Sequence, residues 1–147
     1  MRVEVLRTFC FPSFPARALA VAAVMQLTEC GFVHDETLVA RYKLVAVDDD
    51  TQMMLCWSLD SGSCECLIGE TVLKAGFDDK YVVVARHQNG TKNAIIEYFY
   101  VVRHPSTDDK EDGERFVQVL GPFDQQHFDS EKVRLRLPEF TRTFDDL

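Results

Sequence analysis

Short apolar runs separated by polar turns occupy most of the chain after residue 41. The runs are rich in valine, isoleucine, leucine, tyrosine and phenylalanine, and such β-branched and aromatic side chains favour strands. Clusters of Asp, Ser, Asn and Gly between the runs favour turns. The pattern therefore predicts seven strands, at 42–47, 53–59, 64–68, 71–77, 81–86, 94–103 and 116–120.

The order of these elements predicts the fold class. The turn residues 60–63 join two of the runs into a hairpin, and the continuous apolar run 81–86 indicates a central strand buried on both faces. After Gly121-Pro122, which we expect to end the last strand, residues 123–136 predict a helix. In this helix Asp124 serves as the N-cap, Phe128 and Leu135 face the sheet, and Pro138 ends the helix. We expect an α+β, mainly β fold: one antiparallel meander sheet of about six to seven strands with a C-terminal helix.

The N-terminal region has a different pattern. An apolar run of ten residues, 18–27, follows Arg17 and precedes Cys30. A bilayer-spanning helix needs about 20 residues, whereas the apolar region of a secretory signal has roughly 7–15. The pattern predicts a lipoprotein-type export signal at 1–29 with lipid on Cys30, although Glu29 stands where a small residue is usual. The alternative is a buried amphipathic helix in a cytosolic protein.

This interpretation divides the chain into four parts. Residues 1–29 are the export signal, 30–41 a polar tether, 42–140 a single β-rich domain and 141–147 a loose tail. The expected location is periplasmic, with the domain held at the membrane by its lipid anchor. About 120 residues are sufficient for a single core.

Composition and motifs narrow the function classes. Sixteen basic and 24 acidic residues give a formal net charge of −8 without a basic stripe, which argues against nucleic-acid binding. The chain has neither a nucleophile motif nor a glycine-rich phosphate loop nor a paired-histidine motif. A Cys66–His87 nucleophile pair is a weak alternative. We expect no catalytic residues, no cofactor and no enzymatic activity.

Three cysteines lie in the predicted hairpin. Cys56 and Cys66 fall opposite one another there, and an oxidising compartment favours a disulfide between them. Free thiols are the alternative. The spacing of Cys64 and Cys66, with no histidine pair nearby, fits four-ligand zinc poorly, so no metal site is expected. The three aspartates 48–50 lack the ligand spacing of a calcium loop and indicate a solvated turn.

Several segments resemble an uncharacterised family of small bacterial proteins, a domain of unknown function with many lipoprotein-like members. The resemblance is carried by residues 42–48, 72–87, 97–102 and 121–123 together with Phe128. It covers about two-thirds of the chain in the same order and supplies no catalytic motif. The chain departs from the family pattern at Glu29 and in the charged segment 104–114.

These observations favour a binding function. Small acidic lipoproteins of this kind often serve as immunity proteins, which neutralise a toxin delivered into the periplasm. This is an analogy from size, charge and compartment, and no motif identifies it. Aromatic side chains are enriched among interface hot spots. The predicted binding residues are Trp57, Tyr98, Tyr100, Asp108 and Asp109. The alternative is an envelope structural or accessory lipoprotein of unknown ligand.

Overall fold

The computed structural model describes residues 32–88, 94–105, 117–144 and 147. Half of these residues lie in strands, and a helix lies near the C-terminus, so the mainly β class is confirmed. The strands form two antiparallel sheets rather than the single meander that the sequence predicted.

The first sheet has the strand order β1-β2-β3-β4 and the second has the order β8-β7-β6-β5-β9. The first contains β1 (His34–Val39), β2 (Tyr42–Ala46), β3 (Met54–Ser58) and β4 (Cys64–Ile68). The second contains β5 (Val72–Phe77), β6 (Tyr81–His87), β7 (Ile96–Val102), β8 (Gln118–Phe123) and β9 (Arg142–Thr143). Helix α1 (Gln125–Leu135) follows β8, and a short 3-10 turn (Asp50–Gln52) precedes β3.

The chain changes sheets between β4 and β5, which is why a single meander does not form. The Val72 backbone N–H donates to the Met53 carbonyl at 2.8 Å. This bond joins the start of β5 in the second sheet to the residue that precedes β3 in the first. One face of each sheet then packs on the other, which buries the alternating apolar positions. The shared core contains Leu38, Tyr42, Leu44, Ala46, Met53, Leu55, Trp57, Ile68, Val72, Ala75, Val82, Val84, Phe99 and Val101.

Helix α1 covers the opposite face of the second sheet. Phe128 packs there in a second cluster with Val83, Tyr100 and Leu137. Strand β6 is therefore buried on both faces, and its residues 82–85 are at most 1% exposed. The predicted central strand is confirmed, and the described residues form two sheets and one α-helix in three layers.

The predicted tether is wrong over residues 34–39, which form β1. Asp35 pairs with Val45 and Glu36 with Leu44 along β2, and Leu38 enters the core. The polar residues that suggested a tether alternate with inward side chains on an edge strand. Period-two alternation of this kind is typical of a sheet with one solvated face.

The predicted loose tail is also wrong over residues 141–144. The Thr141 N–H donates to the Ala75 carbonyl and the Phe144 N–H to the Leu73 carbonyl, at 2.9 and 2.8 Å. Between them β9 adds two residues to the edge of the second sheet, and Phe144 packs against the core. The edge of β5 provides the hydrogen-bonding groups that hold this segment.

Strand β8 continues through Gly121-Pro122 to Phe123, so the predicted end at Leu120 is wrong. A proline is accepted because β8 is an edge strand and needs no hydrogen bond on its outer side. Gly121 has a φ of +131°, and a Cβ there would lie 2.6 Å from the Phe99 ring. Only glycine satisfies both conditions.

The predicted ends of the helix are confirmed within two residues. The Asp124 carboxylate accepts a hydrogen bond from the His127 N–H at 2.7 Å and caps the N-terminus. Arg136 closes the C-terminus in a left-handed conformation, and Pro138 follows shortly after it. Phe128 is buried and Leu135 packs partly against the same cluster, as predicted.

Candidate functional site

Trp57 is a core residue, and the prediction that it binds a partner is wrong. Its side chain is 3% exposed and packs edge-on against Tyr42, with ring centroids 4.9 Å apart. Its position on β3 points toward the second sheet, as that of Leu55 does. Because a strand alternates its side chains between faces, burial of Leu55 also places Trp57 inside.

Tyr98 and Tyr100 lie beneath α1 and are not exposed anchors for a partner, contrary to the prediction. Tyr98 stacks on Phe128 at 4.9 Å, and its hydroxyl donates to the Gln125 side-chain oxygen. The Tyr100 hydroxyl donates to Glu131 Oε2 at 3.1 Å. Both tyrosines attach the helix to the sheet.

The Tyr100–Glu131 contact also sets the charge state beneath the helix. Burial, followed by the hydrogen bond to Glu131, raises the pKa of Tyr100 above its ordinary value. The hydrogen bond from Arg134 lowers the pKa of Glu131, and the Tyr100 hydroxyl adds to that effect. At neutral pH a neutral phenol therefore donates to an ionised carboxylate.

The remaining predicted site residues lie outside the described part of the chain. These are Asp108 and Asp109 in the charged segment and Cys30 with the export signal. Their roles in partner binding and lipidation stay predictions.

The three hairpin cysteines lie together on the outer face of the first sheet. Cys56 and Cys66 are directly paired across β3 and β4, as the sequence predicted. All three are free thiols, so the structure differs from the predicted disulfide. Burial and a hydrogen bond with Cys64 raise the pKa of Cys56. Burial also raises the pKa of Cys66, although Arg86 opposes that shift.

These thiols should react very unequally with iodoacetamide. Cys66 is exposed, but its raised pKa keeps it largely protonated at pH 7, so its labelling should continue to accelerate with pH beyond about 8.5, where an ordinary thiol begins to level off. Cys56 is 1% exposed and should label at least about a hundredfold more slowly. Peptide mass spectrometry measures both rates, and urea-unfolded chain is the control. Equal rates in the folded chain would contradict this.

The structure does not bring Cys66 and His87 together. Arg86 lies over the Phe99 ring of the inter-sheet core, at 5.0 Å from its centroid. Its neighbour His87 therefore points to the opposite face of the second sheet, whereas Cys66 belongs to the first sheet. The His87 Nδ1 atom is buried without a hydrogen-bond partner among the described residues. No group of three or more potential metal ligands occurs in these residues either.

Among the residues that the structure describes, the outer side of α1 carries the candidate site that we favour. A shallow concavity of about 680 Å³ is lined by Gln125, Gln126, Asp129, Ser130 and Val133. We call these five residues the helix surface. A second concavity of about 310 Å³ adjoins it at the helix N-terminus and shares Gln126 and Ser130. Gln126, Ser130 and Val133 lie on the side of α1 that faces away from Phe128.

Helical periodicity produces the helix surface. Gln125 Nε2 donates to Asp129 Oδ1 at 2.8 Å, one turn along the helix. The Ser130 hydroxyl donates to the Gln126 carbonyl at 2.9 Å. Val133 is 82% exposed among these polar groups. The surface therefore combines amide, hydroxyl and carboxylate groups with one apolar side chain on a rigid element.

The sequence contains a signal for the helix surface, but the binding residues were predicted from aromatic and acidic side chains, which do not include it. Val133 is five residues after Phe128, which places it about 140° around the helix, away from the buried stripe. An apolar residue in that position is solvent-exposed once Phe128 faces the sheet. The signal depends on knowing which side of the helix is buried.

No helix in the described part of the chain combines the length and apolar character that a bilayer span requires. The resemblance to a family of unknown function stays a prediction. Comparison with protein-family models, curated proteins and solved structures found no match to this chain.

Proposed function

We propose that the chain is an exported, lipid-anchored protein-binding domain that recognises its partner through the helix surface. The observation that supports this most is the 82% exposure of Val133 among the polar residues of α1. The partner class we favour is a toxin delivered into the periplasm, which would make the chain an immunity protein.

The contacts that hold α1 on the second sheet favour recognition of a partner through the helix surface. Phe128 and the two tyrosine hydroxyl contacts fix the helix on the second sheet. A pre-fixed helix loses little conformational freedom on binding, which favours affinity. The outer side chains can then meet a partner with their geometry already set.

The charge of the chain favours a basic partner surface. The formal net charge is −8, and Asp124 and Asp129 line the two concavities. Opposite charge accelerates association and excludes acidic competitors. The central apolar contact is then Val133, with hydrogen bonds around it.

The test is a competition between cells. A strain lacking this gene should be killed by the parent strain, and a copy encoding the full chain should restore survival. Val133→Asp should reduce that protection at least about tenfold, because charge at a hot spot costs affinity. Val119→Asp is the control, since Val119 is 37% exposed on β8 and lies outside the helix surface.

The survival data separate two ways in which the proposal can fail. Equal survival of the deletion strain and the parent contradicts the immunity function. Full protection by Val133→Asp, with the same amount of chain in the envelope, contradicts the helix surface as the binding site. Immunoblotting of envelope fractions supplies the protein amounts for both comparisons.

A further inference from the structure

We infer that the end of the sheet sandwich nearest residue 32 is seated on a membrane surface. This inference rests on the membrane anchoring proposed above and adds the orientation of the domain. The apolar end, as we call it, comprises Phe32, Val33, Val47, Ile95 and Ile96. Their exposed fractions lie between 37 and 71%.

Strand register places these residues at one end. The Val33 N–H donates to the Ala46 carbonyl at 2.9 Å, so Val33 lies beside Val47 where β1 begins and β2 ends. In the second sheet the Gln88 N–H donates to the Ile95 carbonyl at 2.9 Å, where β6 ends and β7 begins.

The bond from Val72 to Met53 aligns those two regions. It joins the first residue of β5 to the residue before β3, and both strands begin at the end in question. The His87 N–H donates to the Thr71 carbonyl at 2.9 Å, and His87 pairs with Ile96. A continuous series of backbone contacts therefore connects the two apolar corners across one end of the sandwich.

The separation of the corners favours a flat partner. Val33 and Val47 belong to the β1 and β2 corner of the first sheet, and Ile95 and Ile96 lie beside β6 in the second. Strands β3 and β5 begin between them. Two exposed apolar corners on one end can contact a bilayer together, and exposed apolar groups are a recurrent feature of membrane-contact sites.

Chain connectivity supports the same orientation. The last residue of the apolar run 18–27 lies five positions before Phe32, a distance of at most about 18 Å when the chain is extended. Cys30 is only two residues from Phe32. A bilayer that holds either segment is therefore held close to the apolar end.

The aspartates 48–50 restrict the kind of membrane. They follow Val47 at this end and are exposed, and the chain carries a formal net charge of −8. Carboxylates near an anionic bilayer are repelled over about 8–10 Å at moderate salt. The occupant we assign is a bilayer surface of zwitterionic phospholipid.

Hydrogen exchange on the full chain tests the orientation. With vesicles of phosphatidylcholine and phosphatidylethanolamine, amide exchange should slow at least about threefold in segments 32–33, 47–50 and 95–96. The turn at residues 78–80, at the opposite end, should be unchanged. Replacing about a third of the lipid by phosphatidylglycerol should weaken the protection.

Charge substitutions test the apolar contact itself. The double variant Val33→Asp/Ile95→Asp should lose the protection at both corners, because charged side chains there oppose contact with the bilayer. Val119→Asp, which adds one charge elsewhere, should behave as the unsubstituted chain does. Thermal unfolding of each variant verifies that it is folded.

Three results would overturn the inference. Vesicle binding without protection of the corners means that residues upstream of Phe32 hold the chain alone. Protection without vesicles means that the run 18–27 covers the apolar end. If the double variant keeps the protection of both corners, the apolar side chains at positions 33 and 95 do not contact the bilayer. None of these affects survival in the competition assay, so failure of this inference is distinguishable from failure of the proposed function.

Discussion

Phe128→Ala should lower the free energy of unfolding by about 3–5 kcal/mol, the usual cost of truncating a buried aromatic side chain. Phe128 is 1% exposed and is the residue of α1 that is fully buried. Its ring stacks on Tyr98 at 4.9 Å and on Phe140 at 6.0 Å. The substitution therefore leaves a cavity between the helix, the second sheet and the C-terminal segment.

Urea unfolding measures the Phe128 effect, and hydrogen exchange locates it. Helical amides should lose protection more than those of β6, because β6 keeps its packing against the first sheet. Val133→Ala is the matched control on the exposed side of the same helix, with an expected change within about 0.5 kcal/mol. A loss below about 1 kcal/mol for Phe128→Ala would mean that the helix is not held by this ring.

Gly76→Ala should destabilise the chain by about 2–3 kcal/mol, the cost of overpacking a closely packed site. A Cβ at Gly76 would overlap the Glu139 carbonyl oxygen and lie 3.0 Å from Phe140 Cα. These are backbone atoms, so no side-chain rotation relieves the overlap. The residues after α1 must move away from β5, which also weakens the β9 pairing.

A second glycine provides the control for Gly76. Gly62, in the β3–β4 turn, has a φ of +81°, and a Cβ added there would have no atom within 4 Å. Gly62→Ala should cost only the conformational term, about 1 kcal/mol. Chemical unfolding of both variants measures the difference. Equal losses would show that close approach to residue 139 is not what requires glycine at position 76.

Local patterns predicted the individual elements well because each depends on neighbouring residues. The β3–β4 hairpin and its Cys56–Cys66 register follow from the turn chemistry of 60–63 and from strand alternation. The Asp124 cap and Pro138 similarly fix α1 within the sequence. Such local signals lose their value where a segment is defined by distant partners.

The C-terminal segment predicted to lack structure shows this limit. Residues 142–143 are polar and short, and they become a strand only because the distant edge of β5 accepts their hydrogen bonds. Residues 34–39 pair instead with β2 across a two-residue turn, and their polar composition concealed that hairpin. An ion pair of 2.5 Å between Arg142 and Glu36 joins these segments across 106 positions of sequence. A single sequence does not show which edges will be open.

The candidate sites, like the strands, depend partly on local sequence and partly on tertiary contacts. The sequence by itself determined the mainly β class, the helix, the acidic charge and the apolar run before Cys30. Tertiary structure decided that Trp57, Tyr98 and Tyr100 pack inside and that Val133 and the apolar end are exposed. The physical reason is that aromatic composition indicates large apolar area, whereas its exposure depends on which sheet and helix faces meet.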